Sequence, residues 1–177
     1  MTALNPPLGI PCLIVLVGPP GSGKTAWAER NGRGAVHVSQ DGLIHAITPS
    51  GFDHAYRPVY GEAEEAVARA GLRAGHTVIA DRTNRTRLHR ERWLRIAHEA
   101  SCPAIAVVMT TPERLCRERN AQRDDRSRLS VERMDRMFAA LEPVRTDEGF
   151  DSIFEVADGD DVSLATVLGR GVRNRRG

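Results

Sequence analysis

The sequence predicts an α/β fold in which helices cover both faces of a parallel sheet. Short apolar segments alternate with helical segments along the chain, the pattern of parallel strands joined by right-handed crossovers. The segment Ala104–Met109 is apolar without alternation, as expected for a strand buried on both faces. Residues 11–25 pass from a strand through a glycine-rich turn into a helix.

That segment, PCLIVLVGPPGSGKT, has G-x-x-x-x-G-K-T between a predicted strand over Leu13–Val17 and a helix. In this context the pattern indicates a phosphate-binding loop, and therefore a P-loop NTPase-type sheet. The glycines let backbone N–H groups turn toward a phosphate, and the helix N-terminus adds partial positive charge. The predicted nucleotide-binding residues are Gly18, Pro19, Pro20, Gly21, Ser22, Gly23, Lys24 and Thr25.

Lys24 is the only lysine among 25 Lys and Arg residues. A lysine is retained where a compact point charge must sit between two phosphates, a place that a planar guanidinium does not fit. Lys24 is predicted to reach the β- and γ-phosphates, and the Thr25 hydroxyl to ligate Mg²⁺. The expected cofactors are ATP or another NTP, with Mg²⁺.

The other elements follow in order. Further strands are predicted over 35–39, 77–80, Ala104–Met109 and 153–156. A helix can begin at 42–47, and further helices are predicted over 59–74, 86–100, 131–141 and 161–168. Another opens with Thr111 as N-cap and Pro112 as first helical residue, and runs to about Arg119. The candidate core residues of the helix over 86–100 are Leu88, Trp93, Leu94 and Ile96.

Length and composition predict one domain over 11–168, with an extension over 1–10 and a basic tail over 169–177. The three cysteines form no C-x-x-C pair, so neither a disulfide framework nor a zinc site is expected. Apolar runs of only strand length and a first segment unlike a secretory signal predict a cytoplasmic protein without a membrane partner. The oligomeric state is left open.

Net charge is only +2, but the arginines cluster. Six lie between Arg82 and Arg95, and four crowd the C-terminus: Arg170, Arg173, Arg175 and Arg176. Such clusters are typical of phosphate-rich ligands, and equally of a solvated helix face in an arginine-rich sequence.

Two aspartates are expected at the carboxyl edge of the sheet, where ligands bind in such folds. Asp41 follows the second strand, where a carboxylate can accept the proton of an acceptor hydroxyl, or can cap the next helix. Asp81 follows the third strand; it can hold Mg²⁺ through water, orient a basic residue, or cap a helix.

The segment 114–128 has the composition of a lid, polar and arginine-rich. Arg119 and Arg123 share a face if the helix continues that far, and Arg126 and Arg128 follow. Such arginines can neutralise charge on a transferring phosphoryl group. A salt-bridged surface that includes Asp124 and Asp125 is the alternative.

Taken together, these motifs resemble the 5′-hydroxyl polynucleotide kinase family, in particular the kinase domain of phage-type and bacterial end-healing enzymes. The resemblance covers about residues 12–145 and includes the P-loop, Asp41, Asp81-x-Thr83-Asn84 and Arg119-Asn120-x-x-Arg123. It implies that Asp41 is the general base, that Arg123 contacts donor phosphate, and that a DNA or RNA 5′ end is the acceptor.

The chain departs from that family in two places. Ile44 stands where an arginine of the phage enzyme grips the acceptor's phosphate, so Arg57, Arg82 or Arg85 is the candidate replacement. The phosphatase motif D-x-D-G-T of bifunctional members is not matched by residues 158–161, so only kinase activity is expected.

Two other functions fit the same motifs. One is a kinase of a small-molecule hydroxyl, an antibiotic, sugar or metabolite, in whose pocket His45, His54 and Tyr56 contact the acceptor. The other is a nucleotide-binding switch without an acceptor.

Overall fold

The computed structural model describes residues 11–125 and 127–171. Within them, one sheet of five strands is parallel throughout, with the order β2-β3-β1-β4-β5. The strands are β1 (Leu13–Val17), β2 (Val36–Ser39), β3 (Val78–Asp81), β4 (Ala104–Met109) and β5 (Ser152–Val156). This sheet confirms the predicted P-loop NTPase-type α/β fold.

Helices lie between the strands and after the last of them. They are α1 (Lys24–Asn31), α2 (Gln40–Ile47), α3 (Arg57–Arg73), α4 (Arg87–Glu99), α5 (Glu113–Ala121), α6 (Val131–Ala139) and α7 (Leu164–Gly171). A single turn of 3-10 helix, His54–Tyr56, precedes α3. Gly75, at φ +84°, follows α3 in the left-handed conformation that suits a glycine after a helix.

The central strand β1 shows why both faces of the sheet are covered. Leu13, Val15 and Val17 belong to one core cluster, together with residues of α3 and α4. Ile14 and Leu16 belong to the other, with residues of α1 and α7. Strand β1 therefore has no solvent-facing side, which explains its unbroken apolar sequence.

The strand order brings the functional segments together at one edge. Because β3 lies between β2 and β1, Asp81 at its carboxyl end lies between the P-loop that follows β1 and the helix that follows β2. The Gly18 N–H donates to the Thr83 carbonyl at 3.1 Å, which joins the P-loop to the segment after β3.

Helix α4 differs from the prediction for its core face. Leu88 is 73 % exposed, so its assignment to the core is wrong, whereas Trp93 and Ile96 are buried as predicted. The buried positions are 90, 93, 96 and 97, and Leu88 lies on another face of the helix. The core position one turn before Trp93 is taken by Arg90, which is completely buried.

The helix ends also differ in detail. Helix α2 is capped by Ser39, whose hydroxyl accepts from Gly42 N–H, and α4 by Thr86. Neither Asp41 nor Asp81 is therefore a helix cap. Pro112 rather than Thr111 is the N-cap of α5, because its ψ of 141° is extended.

Several predictions fall outside the described residues: the extension over 1–10, Arg126, and the side chains of the C-terminal arginines. In the part of the chain that is described, no helix has the length and apolar character needed to cross a membrane. Cys12, Cys102 and Cys116 are free thiols, all buried.

Candidate active site

The P-loop has the backbone shape that phosphate binding requires. Gly21 and Gly23 have φ of +81° and +91°, in the left-handed region that favours glycine. A Cβ on Gly21 would lie 2.5 Å from the Cys116 carbonyl oxygen, so the loop packs against α5. Gly23 caps α1 without a side-chain hydrogen bond, which leaves first-turn N–H donors for an anion. These features fit a nucleotide's phosphates.

Lys24 is buried within this loop. Its Nζ donates to the carbonyls of Gly18 and Pro19, at 2.9 and 2.7 Å, and to Ser22 Oγ at 3.3 Å. Burial lowers the pKa of Lys24 to about 8; Asp81 and Asp41 act in the opposite direction, and Arg123 adds to the lowering. The charges of these three predicted site residues thus act on one ammonium group.

Nucleotide binding is therefore expected to take up a proton at alkaline pH. Phosphate charge beside Nζ raises the pKa of Lys24, so binding above about pH 8 must protonate it, and affinity should fall by up to about tenfold per pH unit there. Calorimetry at pH 8.5 in two buffers of different ionisation heat measures the proton. A Lys24→Met variant should lose that uptake. An affinity independent of pH between 7 and 9.5 would contradict the expectation.

Asp41 lies in the first turn of α2, directly after β2. Its side chain is exposed, so a substrate hydroxyl can reach it. The negative charge of Asp41 acts on the P-loop, where it raises the pKa of Lys24 against the larger effect of burial. An accessible carboxylate beside the phosphate site has the location needed for a general base.

Asp81 is held by a partner that the sequence analysis missed. His37 Nε2 lies 3.0 Å from Asp81 Oδ2, and the Asp81 side chain is only 4 % exposed. His37 lies on β2 two residues before Ser39, the register partner of Asp81. The sequence does show His37 as a single histidine in an otherwise apolar strand. It does not show that β2 lies beside β3, and that order determines that Asp81 is the partner of His37.

Three of the predicted acceptor residues, Arg57, Arg82 and Arg85, act electrostatically on one side chain. Burial lowers the pKa of His89, and the charges of four arginines lower it further: Arg82, Arg85, Arg92 and Arg57. We call these four residues the arginine cluster. Arg57 is exposed, and it is the first residue of α3, which begins two residues before the helix predicted over 59–74.

Glu64 of α3 neutralises only part of this charge. Its Oε2 accepts from Arg82 Nη1 at 2.9 Å and also from Arg92 Nη2. Within the described residues, Arg57 and Arg85 have no ion pair, and Arg85 Nε is a buried donor without a hydrogen-bond partner. Four guanidinium groups against one carboxylate leave the cluster strongly positive.

The two lid arginines have different surroundings. Arg119 on α5 donates to Asp158 Oδ1 at 2.7 Å and to the Gly21 carbonyl at 3.4 Å, so it ties α5 to the P-loop. Helix α5 ends at Ala121, and Arg123 lies two residues beyond it rather than on the same helical face. Among the described residues no carboxylate pairs with the exposed Arg123.

Asn120 links the two ends of the segment that carries Arg123. Its side-chain amide donates to the Leu129 carbonyl at 2.8 Å and accepts from Leu129 N–H at 3.0 Å. Arg128 donates to the Arg123 carbonyl at 2.9 Å and pairs with Asp125. The backbone at Arg123 is thereby held while its guanidinium stays free to meet a ligand.

With this geometry established, the profile of the AAA domain family matches residues 13–144, from β1 to beyond α6. The chain belongs to this AAA domain family. None of the curated proteins matches it in sequence.

Solved structures share the fold of this AAA domain protein. A putative kinase from Chloroflexus aurantiacus has a TM-score of 0.70 at 19 % identity, over 95 % of this chain and 97 % of that one. Kti12 of Chaetomium thermophilum, in complex with ADP-AlF3, has a TM-score of 0.63 at 19 % identity, over 93 % of this chain and 100 % of that one. Mycobacterium tuberculosis APS kinase CysC, in complex with AMPPNP and APS, has a TM-score of 0.61 at 19 % identity, over 97 % of this chain and 100 % of that one. The chain has a P-loop kinase-type fold.

The AAA domain protein offers a sparse set of metal ligands. Across 11–125 and 127–171, no group of three or more His, Cys, Asp or Glu side chains could hold a metal ion. Thr25 is exposed in the first turn of α1, and Asp81 lies across the same edge. Such a site fits Mg²⁺, which keeps several waters and binds mainly through phosphates and few protein oxygens.

Proposed function

We propose that this protein transfers the γ-phosphate of ATP to the 5′-hydroxyl end of a DNA or RNA strand. The observation that carries the proposal is the arginine cluster, because four guanidinium groups, of which only Arg82 and Arg92 pair with Glu64, suit an acceptor that bears phosphate groups of its own. Arg57, Arg82 and Arg85 thus supply the acceptor contacts that Ile44 cannot make.

Each site residue has a separate role in this proposal. Lys24 and the P-loop amides bind the β- and γ-phosphates. Asp41 accepts the proton of the attacking 5′-hydroxyl, and Arg123 stabilises charge on the phosphoryl group as it moves. Arg119, held by Asp158, keeps α5 against the P-loop.

Thr25 would hold Mg²⁺ through its hydroxyl, with Asp81 contributing through water. When bound, the ion neutralises charge on the donor phosphates. His37, on the neighbouring strand, would hold the Asp81 carboxylate in place for that role through the contact between His37 Nε2 and Asp81 Oδ2.

A small-molecule acceptor is the second candidate. The folds of APS kinase and of a Sinorhizobium meliloti gluconokinase are similar to this one. The arginine cluster would then bind a compact anion, and His45, His54 or Tyr56 the rest of the acceptor. A nucleotide switch would bind ATP without transfer to any hydroxyl.

The test is transfer from γ-labelled ATP to short 5′-OH single strands of DNA and RNA. We expect labelled oligonucleotide, and at least about 100-fold slower transfer by Asp41→Asn because the general base is lost. Asp161→Asn, a change at an exposed aspartate outside the site, is the matched control and should leave the rate unchanged. Tight ATP binding without any labelled strand would reject the nucleic-acid acceptor.

Salt dependence separates the two acceptor classes. Strand affinity is expected to fall steeply between 50 and 200 mM salt because several phosphate contacts release counterions. Binding of a small acceptor changes much less, so a nearly flat salt dependence would favour the second candidate.

A further inference from the structure

Phe52, His54 and Tyr56 form an exposed aromatic group that the proposed chemistry does not use. Phe52 and Tyr56 are 48 % and 45 % exposed, and His54 is exposed as well. The Phe52 and His54 rings meet edge to face, with centroids 4.9 Å apart. We call these three residues the aromatic platform.

Tyr60 on α3 holds Phe52 of the platform in place. Tyr60 is 2 % exposed, and its ring centroid lies 5.5 Å from that of Phe52. Its hydroxyl accepts from Asp53 N–H and hydrogen bonds with Thr48 at the end of α2. Exposed rings held in this way lose little freedom when a flat partner stacks on them.

The platform adjoins the arginine cluster in the chain. Tyr56 caps α3 and is followed at once by Arg57, a member of that cluster. A ligand at this place meets aromatic faces and positive charge together. Aromatic rings beside a positive groove are the means by which single-stranded nucleic acids are bound, because every base has a face to stack and every linkage a phosphate.

The location of the platform also disfavours a compact acceptor. Asp41 lies at the start of α2 and the platform follows its end, so about 9 Å of helix separates them. A single sugar or polyol held at Asp41 spans less of this length than a strand of several nucleotides does. Stacked nucleotides advance about 3.4 Å per step, so a strand bound by its 5′ end can place one of its first bases there.

We propose that the aromatic platform binds an unpaired nucleobase near the 5′ end of the acceptor strand, and so selects single-stranded nucleic acid over small phosphorylated alcohols. This inference rests on the proposed nucleic-acid acceptor. A duplex end does not suit the platform, since paired bases keep their faces within the stack.

The test compares two 5′-OH strands of equal length, one with all bases and one abasic at its first three positions. Both carry the same phosphates, so contacts with the arginine cluster are unchanged. Binding is measured by anisotropy of a 3′-fluorescein label, and phosphate transfer separately. We expect the wild type to bind the abasic strand about 5- to 150-fold more weakly.

Variants assign the difference to the platform. Phe52→Ala and Tyr56→Ala should weaken binding of the complete strand toward the abasic value, and should have little effect on the abasic strand. Phe52→Trp should retain wild-type affinity because it keeps a stacking face. Val131→Ala, at another exposed apolar residue, is the control and should change neither.

The outcomes distinguish this inference from the proposed function. If both alanine variants bind the complete strand as tightly as the wild type, the platform inference is wrong, whether or not transfer occurs. Base-dependent binding without transfer would support the platform and reject the kinase proposal. A wild type that binds neither strand would overturn both.

Discussion

An Arg123→Ala variant is expected to lower kcat by about 10³-fold or more, with a much smaller loss of ATP affinity from the missing contact with donor phosphate. The exposed Arg123 has no carboxylate partner among residues 11–125 and 127–171, yet its charge reaches Lys24. A guanidinium placed in this way can stabilise charge that develops only as the phosphoryl group moves. The effect should therefore appear in kcat, measured by single-turnover transfer from labelled ATP.

Two arginines of the same region are compared with Arg123, and Arg114 is the control. Arg114 pairs with Glu118 on the outer face of α5 and is 81 % exposed, so Arg114→Ala should leave kcat unchanged. Arg119→Ala removes the contact with the Gly21 carbonyl and is expected to raise KM for ATP as well as to lower kcat. Equal losses of kcat in Arg114→Ala and Arg123→Ala would contradict an individual role for Arg123.

The elements with strong local signals were predictable from sequence. Strands β1 and β4 have the predicted bounds because a run of apolar residues flanked by breakers has few alternatives. The P-loop was predictable because its glycines and Lys24 each have a backbone or charge requirement. The helix predicted over 131–141 forms as α6, which Ser130 caps by accepting a hydrogen bond from Arg133 N–H.

Contacts between distant segments were not predictable. The arginine cluster joins residue 57 to residues 82–92, and only the packing of α3 beside α4 brings them together. The pair His37–Asp81 likewise depends on β2 lying next to β3, an order that the sequence does not specify.

Leu88 and Arg90 show the same limit within one helix. Hydrophobicity favours Leu88 for the core, but its position on α4 faces solvent. Arg90 is buried because Glu148, far along the chain, supplies a carboxylate at that depth. A residue's partner, more than its polarity, decided which side chain was buried.

Arg90 uses all its donors inside the protein. Nε and Nη2 bind the two carboxylate oxygens of Glu148, at 2.7 and 2.6 Å. The remaining three donors bind the carbonyls of Asn84, Glu142 and Pro143. Arg90 therefore joins α4 to the segment after β3 and to the chain that follows α6, two segments that lie far apart in sequence.

An Arg90→Met variant is expected to lower the free energy of unfolding by about 3–5 kcal/mol, because it leaves the buried Glu148 carboxylate with only the Arg145 N–H as a donor and three carbonyls with none. Arg90→Lys should recover only part of the loss, since three donors cannot replace a planar fork of five. Urea unfolding followed by circular dichroism measures both. Arg95→Met, at a 58 % exposed position of the same helix, should stay within about 0.5 kcal/mol of the wild type.

The double variant Arg90→Met, Glu148→Leu separates the cost of an orphaned charge from the value of the ion pair. Replacing both partners with apolar side chains removes the uncompensated carboxylate, so this variant should be more stable than Arg90→Met alone. It still leaves the carbonyls of Asn84, Glu142 and Pro143 without donors, and should remain below the wild type. If the double variant were no more stable than the single one, the carbonyl contacts rather than the ion pair would account for the role of Arg90.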